Sequence, residues 1–182
     1  MRKLIQILGF LAILNLAAAQ PVRTEVTNAT STAVDNKPNS DTVPEVYALT
    51  GQFDRVLVLR FKYQADLLAG LERMVKEHKI RNAVILSGIG SVRSYHYHTV
   101  SNGSFPSRNI FVKNPTGPAD IVGMNGYVID SRVHAHITLA DPDKAFGGHL
   151  EAGTSVFTFA IVTVGVFKDG IDLKGVDDKN YR

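Results

Sequence analysis

The sequence contains no cysteine among its 182 residues. This absence excludes disulfide bridges, iron–sulfur clusters, thiolate zinc sites and a cysteine nucleophile, and it also excludes a lipid attached to a cysteine behind a leader. Any bound metal ion must be held by His, Asp or Glu side chains. Tryptophan is absent too, so a core has to be built from Leu, Ile, Val, nine Phe and six Tyr.

The chain has only a small excess of positive charge, with 20 Lys and Arg against 17 Asp and Glu. Two of the basic residues, Arg2 and Lys3, lie in the first 19 residues, which hold no acid, so a form without them carries a net charge of +1. That value excludes a large basic surface, and nucleic acid is not an expected partner. Hydrophobic residues at 45% and charged residues at 20% are typical of one globular domain.

Residues 1–19 have the pattern of an export signal. Arg2 and Lys3 are followed by an apolar run over 4–16 and by three alanines at 17–19. The run is shorter than the ~20 apolar residues of a membrane-spanning helix. We therefore expect a signal peptide, a secreted or periplasmic protein, and no stable membrane span once the signal is removed.

The rest of the chain divides by composition. Residues 20–44 are rich in Thr, Asn, Ser and Pro without an apolar period, which predicts a flexible polar linker. A folded domain is expected over 45–175, followed by a frayed tail at 176–182.

Within that domain the patterns predict one main helix and several strands. Leu67, Leu71 and Val75 have helical spacing inside the predicted helix, Ala65–Lys79. Alternating or β-branched runs predict strands over 55–62, 82–87, 92–100, 119–130, 132–139 and 154–167, with a tight turn at 88–90. Strands around one helix, without a βαβ rhythm, favour an α+β fold with a mostly antiparallel sheet.

The strand at 132–139 carries a His-x-His pair. A period of two places His134 and His136 on one face, and the apolar residues Val133, Ala135, Ile137 and Leu139 on the other. The two histidines lie about 6.6 Å apart along the backbone, close enough to bind one ion.

A third histidine follows a glycine pair in Gly147-Gly148-His149. The glycines allow the backbone to approach the strand and to direct His149 back at the pair. Three neutral imidazoles leave a fourth position open, as in a catalytic zinc site. The alternatives are that His-x-His is a polar face at a subunit contact, and that His149 caps a turn.

Further candidates lie near these residues. His96 and His98 share one face of a predicted strand and are candidates for additional ligands, for a pocket or for a hydrogen-bonded strand surface. Asp141 and Glu151 are weak catalytic candidates that could orient an imidazole or act as a general base. Both are equally typical of solvated turns.

The segment VHAHITLADPDKAFGGHLEAGTSVFTFAIVTV resembles the PPC domain, the plant and prokaryote conserved domain. The matching elements are the His-x-His strand, an acidic turn, Gly-Gly-His-Leu, a further glycine and a long apolar strand; upstream, the turn at 87–92 also matches. The resemblance covers roughly residues 46–168.

The resemblance implies a compact α+β domain that assembles as a homotrimer. The fold is also similar to that of α-acetolactate decarboxylase, where a His-x-His pair and a later histidine hold zinc; His134, His136 and His149 are the matching positions. The chain lacks counterparts of that enzyme's other catalytic groups. It also lacks the Arg-Gly-Arg-Pro core of the AT-hook that precedes this domain in plant DNA-binding proteins.

Three hypotheses follow. The first is an exported trimer whose three-histidine site holds zinc or a similar divalent ion and binds or transforms a small polar or carbonyl ligand; as an enzyme it would be a metal-dependent hydrolase or lyase. The second is a non-catalytic binding or assembly module with a histidine-rich trimer surface. The third, DNA binding, comes only from analogy with the family.

Overall fold

The computed structural model describes residues 20–27, 44–104 and 107–177. The predicted export signal lies outside these residues, as do most of the predicted linker and the last five residues of the predicted tail. Among the described residues, no helix has the length and apolar character that crossing a bilayer requires.

The described residues form one helix and eight strands. The helix, α1, spans Leu67–Glu77. The strands are β1 Val22–Thr27, β2 Phe53–Lys62, β3 Ala83–Val100, β4 Arg108–Asn114, β5 Ala119–Ile129, β6 Arg132–Ala140, β7 Ala145–Leu150 and β8 Ser155–Phe167.

Helix α1 confirms the prediction with two residues fewer at each end. Asp66 caps its N-terminus, because the carboxylate accepts a hydrogen bond from the backbone N–H of Ala69 at 2.9 Å. Leu67, Leu71 and Val75 are buried on one face. The helix ends at His78, whose backbone N–H donates to the carbonyl of Met74.

All strand pairings within the described residues are antiparallel. One path through the sheet runs β1-β4-β3-β5-β6-β7, and β2 pairs with β8, which pairs with β3. A further pairing between β7 and β3 closes β3, β5, β6 and β7 into a ring. The antiparallel sheet and single helix confirm the predicted α+β class.

Strand β6 follows the predicted alternation. Ala135, Ile137 and Leu139 are buried in a core that also contains Leu67 and Leu71 of α1. His134 and His136 therefore lie on the face of β6 that points away from this core, as the period of two predicts.

The structure differs from the sequence-based expectations in three places. Strand β3 runs unbroken through the predicted turn at 88–90, because register shifts against β8 absorb the irregularity. Strands β4 and β7 were not predicted. Residues 22–27, expected as part of a flexible linker, form β1 and pair with β4.

Candidate metal centre

Three strands place histidines in one row. His98 of β3 is the register partner of His149 of β7, and His149 is the register partner of His136 of β6. Directly paired residues of antiparallel strands have side chains on the same face, so the three rings gather. The centroids of His98 and His149 lie 4.5 Å apart, and those of His149 and His136 lie 5.4 Å apart.

The His-x-His pair completes this cluster. The rings of His134 and His136 stack with centroids 5.4 Å apart, and the ring of His134 lies 5.0 Å from that of His149. The Nε2 atoms of His134 and His136 are 3.3 Å apart. Two nitrogens that bind one tetrahedral zinc ion at their usual distances lie about 3.3 Å from each other. The structure thus brings together the three histidines that the sequence nominated, with His98 beside them.

Four of the histidines have Nδ1 at hydrogen-bond distance from an oxygen that can only accept. The partners are His96 with Ala152 O at 2.8 Å, His98 with Glu151 Oε1 at 2.6 Å, His134 with Asp177 Oδ2 at 2.9 Å, and His149 with Leu150 O at 3.1 Å. In each neutral ring Nδ1 then carries the proton and Nε2 has the lone pair. This tautomer leaves the lone pair of Nε2 available to bind a metal ion.

Glu151 offers a second way to use the same cluster. Ligand atoms of His98, His149 and Glu151 all lie within 4.8 Å of one another, which makes them a candidate metal-binding group. Glu151 Oε1 is 2.6 Å from His98 Nδ1 and 3.5 Å from His149 Nδ1. The shorter distance is that of a charge-assisted hydrogen bond rather than of two ligands on one ion. His149 belongs to both groupings of ligand atoms.

Electrostatics favour neutral rings at His136 and His149. Desolvation, followed by positive charge on His134 and His98, lowers the pKa of His136. The pKa of His149 is also lowered, first by desolvation and then by His98 and His134, against an opposing effect of Glu151. Both rings are thus neutral near pH 7, as metal binding requires.

The remaining candidates have different positions. The ring of His96 lies 6.0 Å from that of Phe111 on β4, which also packs on His98 at 4.9 Å. Asp141 lies in the turn between β6 and β7, where its carboxylate accepts backbone N–H bonds from Asp143 and Lys144. That contact gives Asp141 the role of a turn cap.

A family comparison matches this architecture. Residues 48–168 match the model of the Plants and Prokaryotes Conserved (PCC) domain, the same domain that the sequence resembles. The chain belongs to this family. The match includes the five clustered residues His98, His134, His136, His149 and Glu151.

Solved structures of PCC-like fold extend the comparison. A metal-containing protein from Archaeoglobus fulgidus is 24% identical, with a TM-score of 0.58, and the alignment covers 68% of this chain and 86% of that one. A plant- and prokaryote-conserved protein from Pyrococcus horikoshii is 20% identical, with a TM-score of 0.57 and coverage of 70% and 87%. A Salmonella enterica protein is 20% identical, with a TM-score of 0.57 and coverage of 66% and 83%. No curated protein matches the chain in sequence.

The PCC domain of this chain has a cavity beside the cluster. It measures about 470 Å³, and His134, His136 and Asn125 line it together with apolar side chains, among them Val84, Ile85, Ile129 and Val176. Asp177 lines it as well and holds His134. Sequence reasoning missed Asp177, because nothing in the local pattern of a polar tail indicates that it folds back onto β6.

Proposed function

We propose that this PCC-domain protein is exported, forms a homotrimer, and holds zinc or a similar divalent ion through His134, His136 and His149. The ion would bind or activate a small polar or carbonyl ligand. A divalent ion held by three neutral imidazoles supplies a Lewis acid that polarises a carbonyl oxygen.

The observation that carries the proposal is the arrangement of Nε2 atoms. His134 Nδ1 donates to Asp177, so Nε2 of the neutral ring carries the lone pair. This Nε2 lies 3.3 Å from Nε2 of His136. Two arrangements fit this distance. In the first, His136 Nε2 donates a hydrogen bond to His134 Nε2. In the second, a metal ion replaces that proton and binds both nitrogens, whose separation already suits tetrahedral zinc. The similar fold of a metal-containing archaeal protein supports the second arrangement.

The cavity next to His134 and His136 supports a small ligand. Its apolar walls would surround the body of such a molecule, while Asn125, the register partner of His136, provides a polar group beside the histidines. His98 lies at the β3 end of the row, where Glu151 orients it through its Nδ1.

The test is the metal content of residues 20–182, purified without an affinity tag that binds metal and then offered zinc. We expect about one ion per chain in the parent and none in the triple variant in which His134, His136 and His149 are replaced by alanine. His78→Ala is the matched control, because His78 is exposed at the end of α1, away from the cluster. A parent that stays metal-free, or a triple variant that binds as well as the parent, contradicts the proposal.

One observation favours the second candidate function, a non-catalytic assembly module. The adjoining strands β2, β3 and β8 expose eight large apolar side chains: Phe53, Val56, Val58, Leu86, Ile89, Val100, Phe157 and Phe159. Exposed apolar residues in such number mark interaction surfaces. In this alternative the histidines form a polar trimer surface, and chelators leave both the oligomer and its stability unchanged.

A further inference from the structure

The end of the described chain reaches the histidine cluster. Asp177 Oδ2 lies 2.9 Å from His134 Nδ1 and 2.9 Å from Arg132 Nη2. A carboxylate accepts from both groups, so the tail is joined to two residues of β6 at once. Asp177 lies beyond residues 48–168, which the family model matches, whereas His134 and Arg132 lie within them.

Residues 171–177 are also held in place by contacts that do not involve the Asp177 carboxylate. Leu173 is buried, with 5% of its surface exposed. The side-chain amide of Asn82 donates to the carbonyl of Ile171 at 2.9 Å, and the N–H of Val176 donates to the carbonyl of Leu173 at 2.9 Å. Asp177 is therefore presented to His134 by an anchored segment.

We infer that Asp177 is a positioning residue for the metal site, which fixes the tautomer and orientation of His134. This inference rests on the proposed function. The Asp177 carboxylate can only accept, so it selects the ring form with the proton on Nδ1 and the lone pair on Nε2. Carboxylates that accept from the second nitrogen of a metal-binding histidine raise its basicity, and their loss typically lowers metal affinity about 10–100-fold.

The same segment also shapes the ligand cavity. Val176 and Asp177 line this cavity together with His134, His136 and residues of β5. This segment thus acts on the site in two ways: Asp177 holds the ring of His134, and Val176 and Asp177 line the cavity beside that ring.

The first test is made without metal. Long-range proton–nitrogen correlation spectra of ¹⁵N-labelled protein, residues 20–182 at pH 7.5 with EDTA, report which nitrogen of each histidine carries the proton. We expect His134 to be protonated on Nδ1 in the parent, and Asp177→Ala to shift it towards Nε2. Asp177→Asn keeps an accepting oxygen and should retain the parent form. An unchanged tautomer in Asp177→Ala overturns the inference.

The second test is zinc affinity by competition with a chelator. Asp177→Ala should bind about 10–100-fold more weakly than the parent, and Asp177→Asn should lose less. Asp169→Ala removes an exposed aspartate from the same end of the chain and should bind as the parent does.

The two proposals fail separately. A parent that binds no zinc overturns the proposed function, while the tautomer spectra still decide whether Asp177 positions His134. A parent that binds zinc with unchanged affinity in Asp177→Ala leaves the metal site intact and overturns the inference.

Discussion

His149 is the residue on which both groupings of ligand atoms depend. It lies between His98 and His136 in the row across three strands, and its Nδ1 is held by the carbonyl of Leu150. We expect His149→Ala to abolish stoichiometric zinc binding, whichever grouping holds the ion.

Glu151→Gln separates the two groupings. If Glu151 only orients His98, which is not one of the three proposed ligands, the charge-free isostere should change zinc affinity by less than about tenfold. If Glu151 is a ligand, Glu151→Gln should lose as much affinity as His149→Ala. Competition titrations on both variants give the comparison, and equal losses would favour the ligand set of His98, His149 and Glu151.

The lowered pKa values of His136 and His149 predict how the stability of the metal-free protein depends on pH. In the unfolded chain each histidine takes up a proton near pH 6.5. Because the pKa values of His136 and His149 are lowered in the folded state, the unfolded state binds more protons than the folded state as the pH falls from about 7 towards those lowered values. The free energy of unfolding therefore decreases over this range. Above that window both states are neutral at these positions and the contribution is flat.

Urea unfolding in EDTA at pH 7.5 and pH 5.5 measures this effect. The double variant with glutamine at positions 136 and 149 should lose less stability than the parent between the two pH values, whereas His78→Gln should match the parent. A parent and a double variant with equal pH dependence would contradict the prediction.

At the residue scale, the sequence nominated His134, His136 and His149 as one site, because a two-residue period and a glycine pair act locally. It gave His98 and Glu151 only as further candidates, since alternation alone does not tell which neighbouring strands pair with β3. The role of Asp177 could not be predicted from the sequence, because it depends on where the polar C-terminal segment packs in three dimensions.

At the scale of elements, β7 is the piece that makes the row possible. A Cβ at Gly147 would collide with the carbonyl oxygen of Ile137 on β6, and one at Gly148 with that of His98 on β3. The two glycines thus let β7 lie close to both neighbours. Glycine is rare in strands, which explains why the sequence did not predict a strand here.

Gly148→Ala should lower the free energy of unfolding by about 2–3 kcal/mol, because the backbone of β7 or β3 has to move. The same movement separates His149 from His98, so zinc affinity should fall as well. Gly123→Ala on β5 is the matched control: its Cβ would meet nothing within 4 Å, and stability should stay the same or rise by up to about 1 kcal/mol. Urea unfolding curves of both variants test this, and equal effects would argue against close approach at β7.

The other elements were predicted to different extents. The helix and most strands followed from period and β-branched content. The unbroken β3 did not, since Gly88 and Gly90 indicate a turn locally, whereas pairing with β5 and β8 on its two sides keeps the chain extended. Strand β1 was missed because a short polar segment gains its strand conformation from the edge of β4.

At the scale of the whole molecule, the exposed apolar residues of β2, β3 and β8 determine the expected assembly. Val58 is 69% exposed, so a charge there should leave the isolated chain folded. If the proposed trimer forms through these strands, we expect Val58→Asp to convert it into monomers, because an unpaired carboxylate would be buried in the interface. Val46→Asp, at a position 85% exposed outside these strands, should remain trimeric. Light scattering after size exclusion measures the mass, and a monomeric parent would overturn the expectation.

The ring of β3, β5, β6 and β7 has a consequence for the order of folding. His98 and His149 are distant in sequence, and they meet only when β7 closes the ring against β3. Loop closure of this kind is slow compared with the formation of helices and hairpins. The cluster that includes His98 is therefore completed late, whereas His134, His136 and His149 already lie together on the paired neighbouring strands β6 and β7. An ion offered during refolding should be bound in an earlier kinetic phase if these three residues hold it, and only in the last phase if His98 and Glu151 are ligands.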